Sequence, residues 1–170
     1  MAKSMLLGLL YSESFQRNNK ILDEHFRGEV DELSALLKCH LLVEQNLRDF
    51  CNASVLNPSY LKGKRFQFGH IMNLARALLD ELGKKNMSWI WGAVSLLNEL
   101  RNSYAHELDP NPTAIQEKKE KLILLLTPLL EGEPAYKDVD VPFNVYLGIL
   151  IGALSGYLYY SLETRTGVSE

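Results

Sequence analysis

The sequence predicts an all-α bundle of five to six helices, and three observations carry that prediction. Apolar residues recur at steps of three and four nearly throughout the chain. No stretch alternates apolar and polar residues with β-branched enrichment, so no sheet is expected. Gly, Pro and Asn fall between the periodic segments, where helices start and stop. With 170 residues the chain is one domain by length; 46% apolar and 23% charged residues are ordinary for a globular protein.

Four segments make up the expected organisation. Residues 1–27 form an N-terminal helical segment, 28–130 a helical core, 131–141 a connector and 142–170 an apolar C-terminal helix with its tail. In the core, the first long helix places Val30, Leu33, Leu37, Leu41, Glu44, Leu47 and Cys51 on one row. Asn57-Pro58-Ser59 and Lys62-Gly63-Lys64 then bracket a loop. The next row is Phe68, Ile71, Ala75, Leu78 and Leu82, with Gly83 as the C-terminal cap. Ser88 can N-cap a third helix that aligns Trp89, Ala93, Leu96, Leu100 and Tyr104. Asp109-Pro110-Asn111-Pro112 breaks it. Asn111 caps the following helix and Pro112 takes its first position, where a missing N–H costs nothing. That helix runs to about Leu126, and Pro128 ends or kinks it.

The last helix has no charge from Pro142 to Leu162, about the ~20 residues that span a bilayer. Gly148, Gly152 and Gly156 lie at GxxxG spacing, which lets helices pack closely. Tyr157, Tyr159 and Tyr160 could form an interfacial belt. Two readings stand. In the favoured one this is a core or dimer helix, its tyrosines at the rim. In the other it is a membrane anchor through residues 142–162, although Asn144 and Ser155 are polar and few Lys or Arg residues flank it.

Net charge is −3, so no global basic field draws in nucleic acid, and any such contact must be local. Cys39 and Cys51 fall in one helix twelve residues apart, roughly 18 Å along its axis, too far for a disulfide. They read as buried thiols of a cytoplasmic protein. The apolar start, Met1 to Tyr11, is short and runs at once into Ser12-Glu13-Ser14 with no small-residue cleavage site, so export is not expected. No CxxC, HExxH or glycine-rich phosphate loop occurs. Neither a metal nor another cofactor is expected.

The chemistry concentrates in Leu97-Asn98-Glu99-Leu100-Arg101-Asn102-Ser103-Tyr104-Ala105-His106, where an amphipathic helix fills with polar groups. Asn98, Asn102 and His106 are four apart and share a face. Arg101 and His106 are five apart, a rotation of about 140°, so they do not touch as helix neighbours. A second copy related by a two-fold axis could bring both pairs around one cleft. The residue types suit a phosphodiester. RNA carries its own nucleophile in the 2′-hydroxyl, and a histidine can take that proton near pH 7. A guanidinium can hold the phosphate and stabilise developing charge. Asn102 and Tyr104 could orient phosphate or base. The plainer alternative is that Arg and His at a helix C-terminus complement its dipole and cap its carbonyls.

This segment resembles the signature of the HEPN superfamily, in which Arg is followed after four to six residues by His, usually with a polar residue next to the Arg. Here that reads Arg101-Asn102-Ser103-Tyr104-Ala105-His106, at a helix end and before a break. The resemblance covers roughly residues 28 to 130. It implies an all-α, two-fold dimeric fold and a metal-independent endoribonuclease of the toxin or phage-defence kind, with RNA as substrate and an antitoxin or regulatory protein as partner. Arg101 and His106 would be catalytic, with Asn102 as the adjoining polar residue. Some members are non-catalytic binding or regulatory modules. The mannitol-operon-repressor family, also helical, is a weaker likeness and represents that alternative.

Other polar residues have simpler readings. His40 and Glu44 stand one turn apart in an apolar helix. Glu44 either orients Arg101 or His106, or ties helices by an ion pair, the latter slightly favoured. His70 is a helix-start residue, and Lys62, Lys64 and Arg65 form a solvated loop that could guide RNA. Lys118, Lys119 and Lys121, alternating with Glu117 and Glu120, read as an exposed helix face. Of Trp89 and Trp91, one is expected in the core and the other at an interface.

Overall fold

The computed structural model describes residues 30–79, 88–106, 111–131 and 139–166, with single positions at 16, 17, 20, 21, 24, 26 and 136. The side chains of 106 and 163–166 are outside the described set. Five α-helices lie among the described residues: α1 (Glu32–Ser54), α2 (Phe68–Leu78), α3 (Ser88–His106), α4 (Pro112–Leu126) and α5 (Phe143–Thr166). No strand occurs among them. The all-α bundle expected from the sequence is the fold.

Local chemistry sets most boundaries. Asp31 caps α1, its carboxylate accepting from the Ser34 amide at 2.9 Å. That hydrogen bond holds the Asp31 carboxyl below its ordinary range. The bracketed loop contains a 3₁₀ turn, Pro58–Tyr60, and passes through Gly63 at φ 74°, a backbone region that glycine enters without steric cost. Asn111 caps α4 through the amides of Thr113 and Ala114, and Pro112 opens the helix. Pro128 sits in the 3₁₀ turn Thr127–Leu129 that closes it. α2 stops at Leu78, short of the expected Leu82; Leu82 and Gly83 lie outside the described residues.

α5 is the pillar of the core. Its most extensive interface is with α1. The two run parallel: the Cys39 thiol donates to the Leu147 carbonyl, and further along Phe50 lies beside Leu158. Leu147, Leu150, Ile151 and Leu154 are fully buried. Antiparallel pairs complete the bundle. Lys118 of α4 reaches Ser103 of α3, while Leu125 faces Gly92. Met72 of α2 meets Ser95 of α3, and Arg76 lies over the Trp91 ring. Trp91 also meets Tyr157 edge-on at 6.3 Å, making it the core tryptophan, while Trp89 packs at the periphery. The segment 1–27 falls largely outside the described residues. Within it, Phe26 is buried and its carbonyl accepts from Asn144, and Arg17 pairs with Asp49 at 2.7 Å.

Three expectations change. The buried face of α1 is Ala35, Leu36, Cys39, His40, Val43, Asn46, Leu47, Phe50 and Cys51, whereas Leu33, Leu37 and Leu41 are exposed. The helix carries leucines on two flanks, and the packing of α5 and α2 selects between them. Lys118 and Lys119 do not form a free surface. Lys118 donates to the Ser103 hydroxyl at 2.7 Å; Lys119 pairs with Glu32 at 2.6 Å and lies over the Phe143 ring. Finally, a β-carbon at Gly152 would meet no neighbouring side chain or helix within 4 Å among the described residues, so none of these requires that glycine.

Phe143–Leu162 is long and apolar enough to cross a membrane, yet half of that window is buried against the other helices. Both cysteines are buried and free, and burial raises both thiols, that of Cys51 to about 11. Leu150→Ala is expected to destabilise the protein by about 2–5 kcal/mol, read by urea unfolding. A loss below about 1 kcal/mol would contradict the placement of α5 in the core.

Candidate functional site

A cleft of about 460 Å³ opens where α1, α2 and α3 meet. α1 supplies His40 and Glu44, the start of α2 supplies Phe66, Gln67, Phe68 and Gly69, and α3 supplies Asn98, Arg101 and Asn102. Four residues singled out from the sequence, Glu44, Asn98, Arg101 and Asn102, thus share one concavity. Helix geometry explains the convergence. Asn98 and Asn102 are one turn apart and Arg101 lies beside them, while the Leu97 and Leu100 side of α3 is fully buried.

His40 anchors the cleft floor. Its ring stacks on Phe68 with centroids 4.3 Å apart, and Nε2 is 3.1 Å from Asn98 Oδ1. An amide oxygen only accepts, so Nε2 carries the proton and Nδ1 keeps its lone pair. Burial, more than any other influence, lowers the His40 pKa; Arg101 adds to the lowering, while Asn98 and Glu44 oppose it. His40 is therefore neutral near pH 7.

The cationic side of the cleft is Arg101, half-buried, whose Nη1 donates to Asn102 Oδ1 at 3.1 Å. No carboxylate pairs with Arg101 among the described residues. Glu44 is committed elsewhere: Arg48 donates to it at 2.6 Å through Nη2 and at 3.0 Å through Nε. The same Nη2 reaches the Phe66 carbonyl, so the pair ties the α2 entry to α1. In the same cleft as Arg101, α2 begins at Phe68 with Gln67 as an N-cap whose side chain makes no capping hydrogen bond, and with no acidic residue in its first turn. Its uncapped amides add partial positive charge to the cleft. No group of three or more His, Cys, Asp and Glu residues is arranged to hold a metal among the described residues.

One site residue stands apart from this group. Tyr104 packs against the hydrophobic core rather than lining the cleft. His106 ends α3 one turn beyond Asn102, and its side chain lies outside the described residues. Conversely, His40 lines the cleft although the sequence reading gave it no role beyond its place one turn from Glu44. Its signal was a polar ring in an otherwise apolar turn, Cys39-His40-Leu41-Leu42-Val43. His70 and the basic loop residues Lys62, Lys64 and Arg65 are exposed and stand outside the cleft.

The buried imidazole has a consequence for stability. The unfolded chain protonates His40 near the ordinary value of 6.5, whereas the folded chain does so only at lower pH. Between those values the folded state binds fewer protons, so stability falls as pH drops below about 6.5 and stops falling once folded His40 is protonated. Thermal unfolding at pH 7.5 and 5.5 is expected to show a lower Tm at pH 5.5, with a smaller difference in His40→Gln. An unchanged difference would mean that other groups carry the effect.

The chain matches no family model, no curated protein and no solved structure among those compared. The HEPN resemblance therefore rests on the Arg101–His106 segment and its helical context.

Proposed function

We propose that this chain is a metal-independent endoribonuclease. Arg101 holds the scissile phosphate and stabilises the charge that builds on it. Asn102, bonded to Arg101, positions the phosphate, and His106 transfers a proton. The 2′-hydroxyl attacks phosphorus, leaving a 2′,3′-cyclic phosphate and a 5′-hydroxyl. The reading is supported chiefly by one observation: Arg101, Asn98 and Asn102 meet the uncapped start of α2 in a single cleft, with no carboxylate on Arg101 among the described residues. An oxyanion fits the donors there, and Phe66 and Gln67 offer a stacking surface and an amide to a base.

The proposal includes a cytoplasmic, two-fold dimer, with an antitoxin-like protein as a further partner of the kind found in toxin and phage-defence systems. Burial of Leu147, Leu150, Ile151 and Leu154 inside the bundle supports α5 as a core helix rather than an anchor. The exposed row Leu33, Leu37 and Leu41 supports a second copy. Leu37 and Glu44 are two turns apart, so that row runs along the cleft side of α1. Leu37→Lys is expected to convert a dimer to a monomer in analytical ultracentrifugation; a dimer unmoved by this change would place its interface elsewhere.

The test of activity is cleavage of RNA by purified protein in excess EDTA, with Arg101→Ala and His106→Ala alongside. Each variant is expected to lose at least about 100-fold in rate. Equal cleavage by all three would remove the nuclease reading. No cleavage by the wild type, together with retained oligonucleotide binding, would assign the chain to the non-catalytic regulatory modules, of which the mannitol-operon repressors are the model.

A further inference from the structure

Cleavage through a 2′-hydroxyl moves two protons. One leaves the attacking hydroxyl, and the other reaches the departing 5′ oxygen. The Arg101–His106 segment supplies a single proton carrier. The cleft is lined by an imidazole outside that segment, that of His40 on α1.

Resting on the ribonuclease reading above, we propose that His40 is a catalytic residue, its Nδ1 taking the proton of the 2′-hydroxyl while Arg101 holds the phosphate. As the 2′-oxygen–phosphorus bond forms, the phosphorus–5′-oxygen bond breaks. The 5′ oxygen receives its proton from His106, and solvent returns both imidazoles to their starting states. Nothing is oxidised or reduced.

Geometry carries the assignment. His40 lines the same cleft as Arg101, and two contacts hold its ring: Phe68 against one face and Asn98 at Nε2. That bond selects the tautomer whose Nδ1 is the basic atom, and Nδ1 makes no hydrogen bond to any described residue. An imidazole held only for packing would gain nothing from a polar cleft and a neighbouring guanidinium. The charged groups around it are Glu44 and Arg48 on α1 and Arg101 on α3; from α2 it meets the Phe68 ring. Burial foremost, and then the Arg101 charge, keep the imidazole in its basic form against the opposing pull of Asn98 and of Glu44, which is itself paired with Arg48. Asn98 acts through His40 and is a positioning residue.

The experiment is a pH–rate profile for cleavage of an RNA oligonucleotide by wild type, His40→Gln and Asn98→Asp, with binding of the 2′-deoxy oligonucleotide measured in parallel. The acidic limb of the wild type is expected below about 6.5, because only neutral His40 accepts the proton. His40→Gln should lose at least about 100-fold in rate, while binding the deoxy oligonucleotide within about threefold of wild type. Asn98→Asp places a carboxylate on Nε2 and should move the acidic limb upward by about one unit. If His40→Gln fails to fold, the Asn98→Asp limb decides alone. A His40→Gln rate within a few-fold of wild type, or a limb unmoved in Asn98→Asp, overturns the assignment and leaves the nuclease reading intact. A wild type that cleaves no RNA overturns both.

Discussion

The packing of α5 on α1 is the constraint on which the rest depends. α5 offers an uncharged surface, and its stripe of Leu147, Leu150, Ile151 and Leu154 is removed from water by α1, α3 and α4. Burying large aliphatic side chains stabilises by about 1.5–3 kcal/mol each relative to exposure, so this stripe dominates the local energetics. It also decides which way α1 faces. Once Cys39, Val43, Leu47 and Phe50 turn inward, His40 and Glu44 are carried to the flank that meets α2 and α3.

The cleft follows from that rotation. α2 and α3 cross α1 where the chain offers aromatic and amide groups instead of leucines. His40, nearly buried, has its polar demand met by Asn98 and its ring covered by Phe68, so the desolvated ring is held without a counter-charge. Arg101 remains half-buried and paired only with a neutral amide among the described residues. A neutral imidazole and a cation in one concavity are electrostatically compatible, since the guanidinium disfavours a second positive charge on the His40 ring. The Glu44–Arg48 pair commits the one carboxylate that lines the cleft among the described residues. Its value lies in that arrangement and in fastening Phe66, since a half-exposed pair contributes about 0–1 kcal/mol to stability.

Long-range polar ties finish the end of the bundle near the α3 C-terminus. Lys118 reaches Ser103, and Lys119 spans Glu32 and the Phe143 ring. The lysine stems let charged heads lie along apolar surface, which the alternation of Lys and Glu in α4 does not reveal. The leucines of α1 present the reverse case. Leu33, Leu37 and Leu41 have the spacing of a core face but remain exposed, because Leu36, Val43 and Leu47 form a second, competing face.

The sequence by itself determined what depends on neighbours along the chain: helical class from periodicity, the Asn111–Pro112 start and Pro128 stop from local backbone chemistry, and Asn98, Asn102 and His106 on one row from the helical repeat. It also isolated Arg101 and Glu44, whose residue types stand out from their surroundings. Only the tertiary structure decided which of two apolar flanks α1 buries, where the C-terminal helix goes, and that His40, some sixty positions before the motif, shares its cleft. Those outcomes depend on contacts between segments distant in sequence. Periodicity gives the angle of a residue on its own helix, but not the helix that will face it.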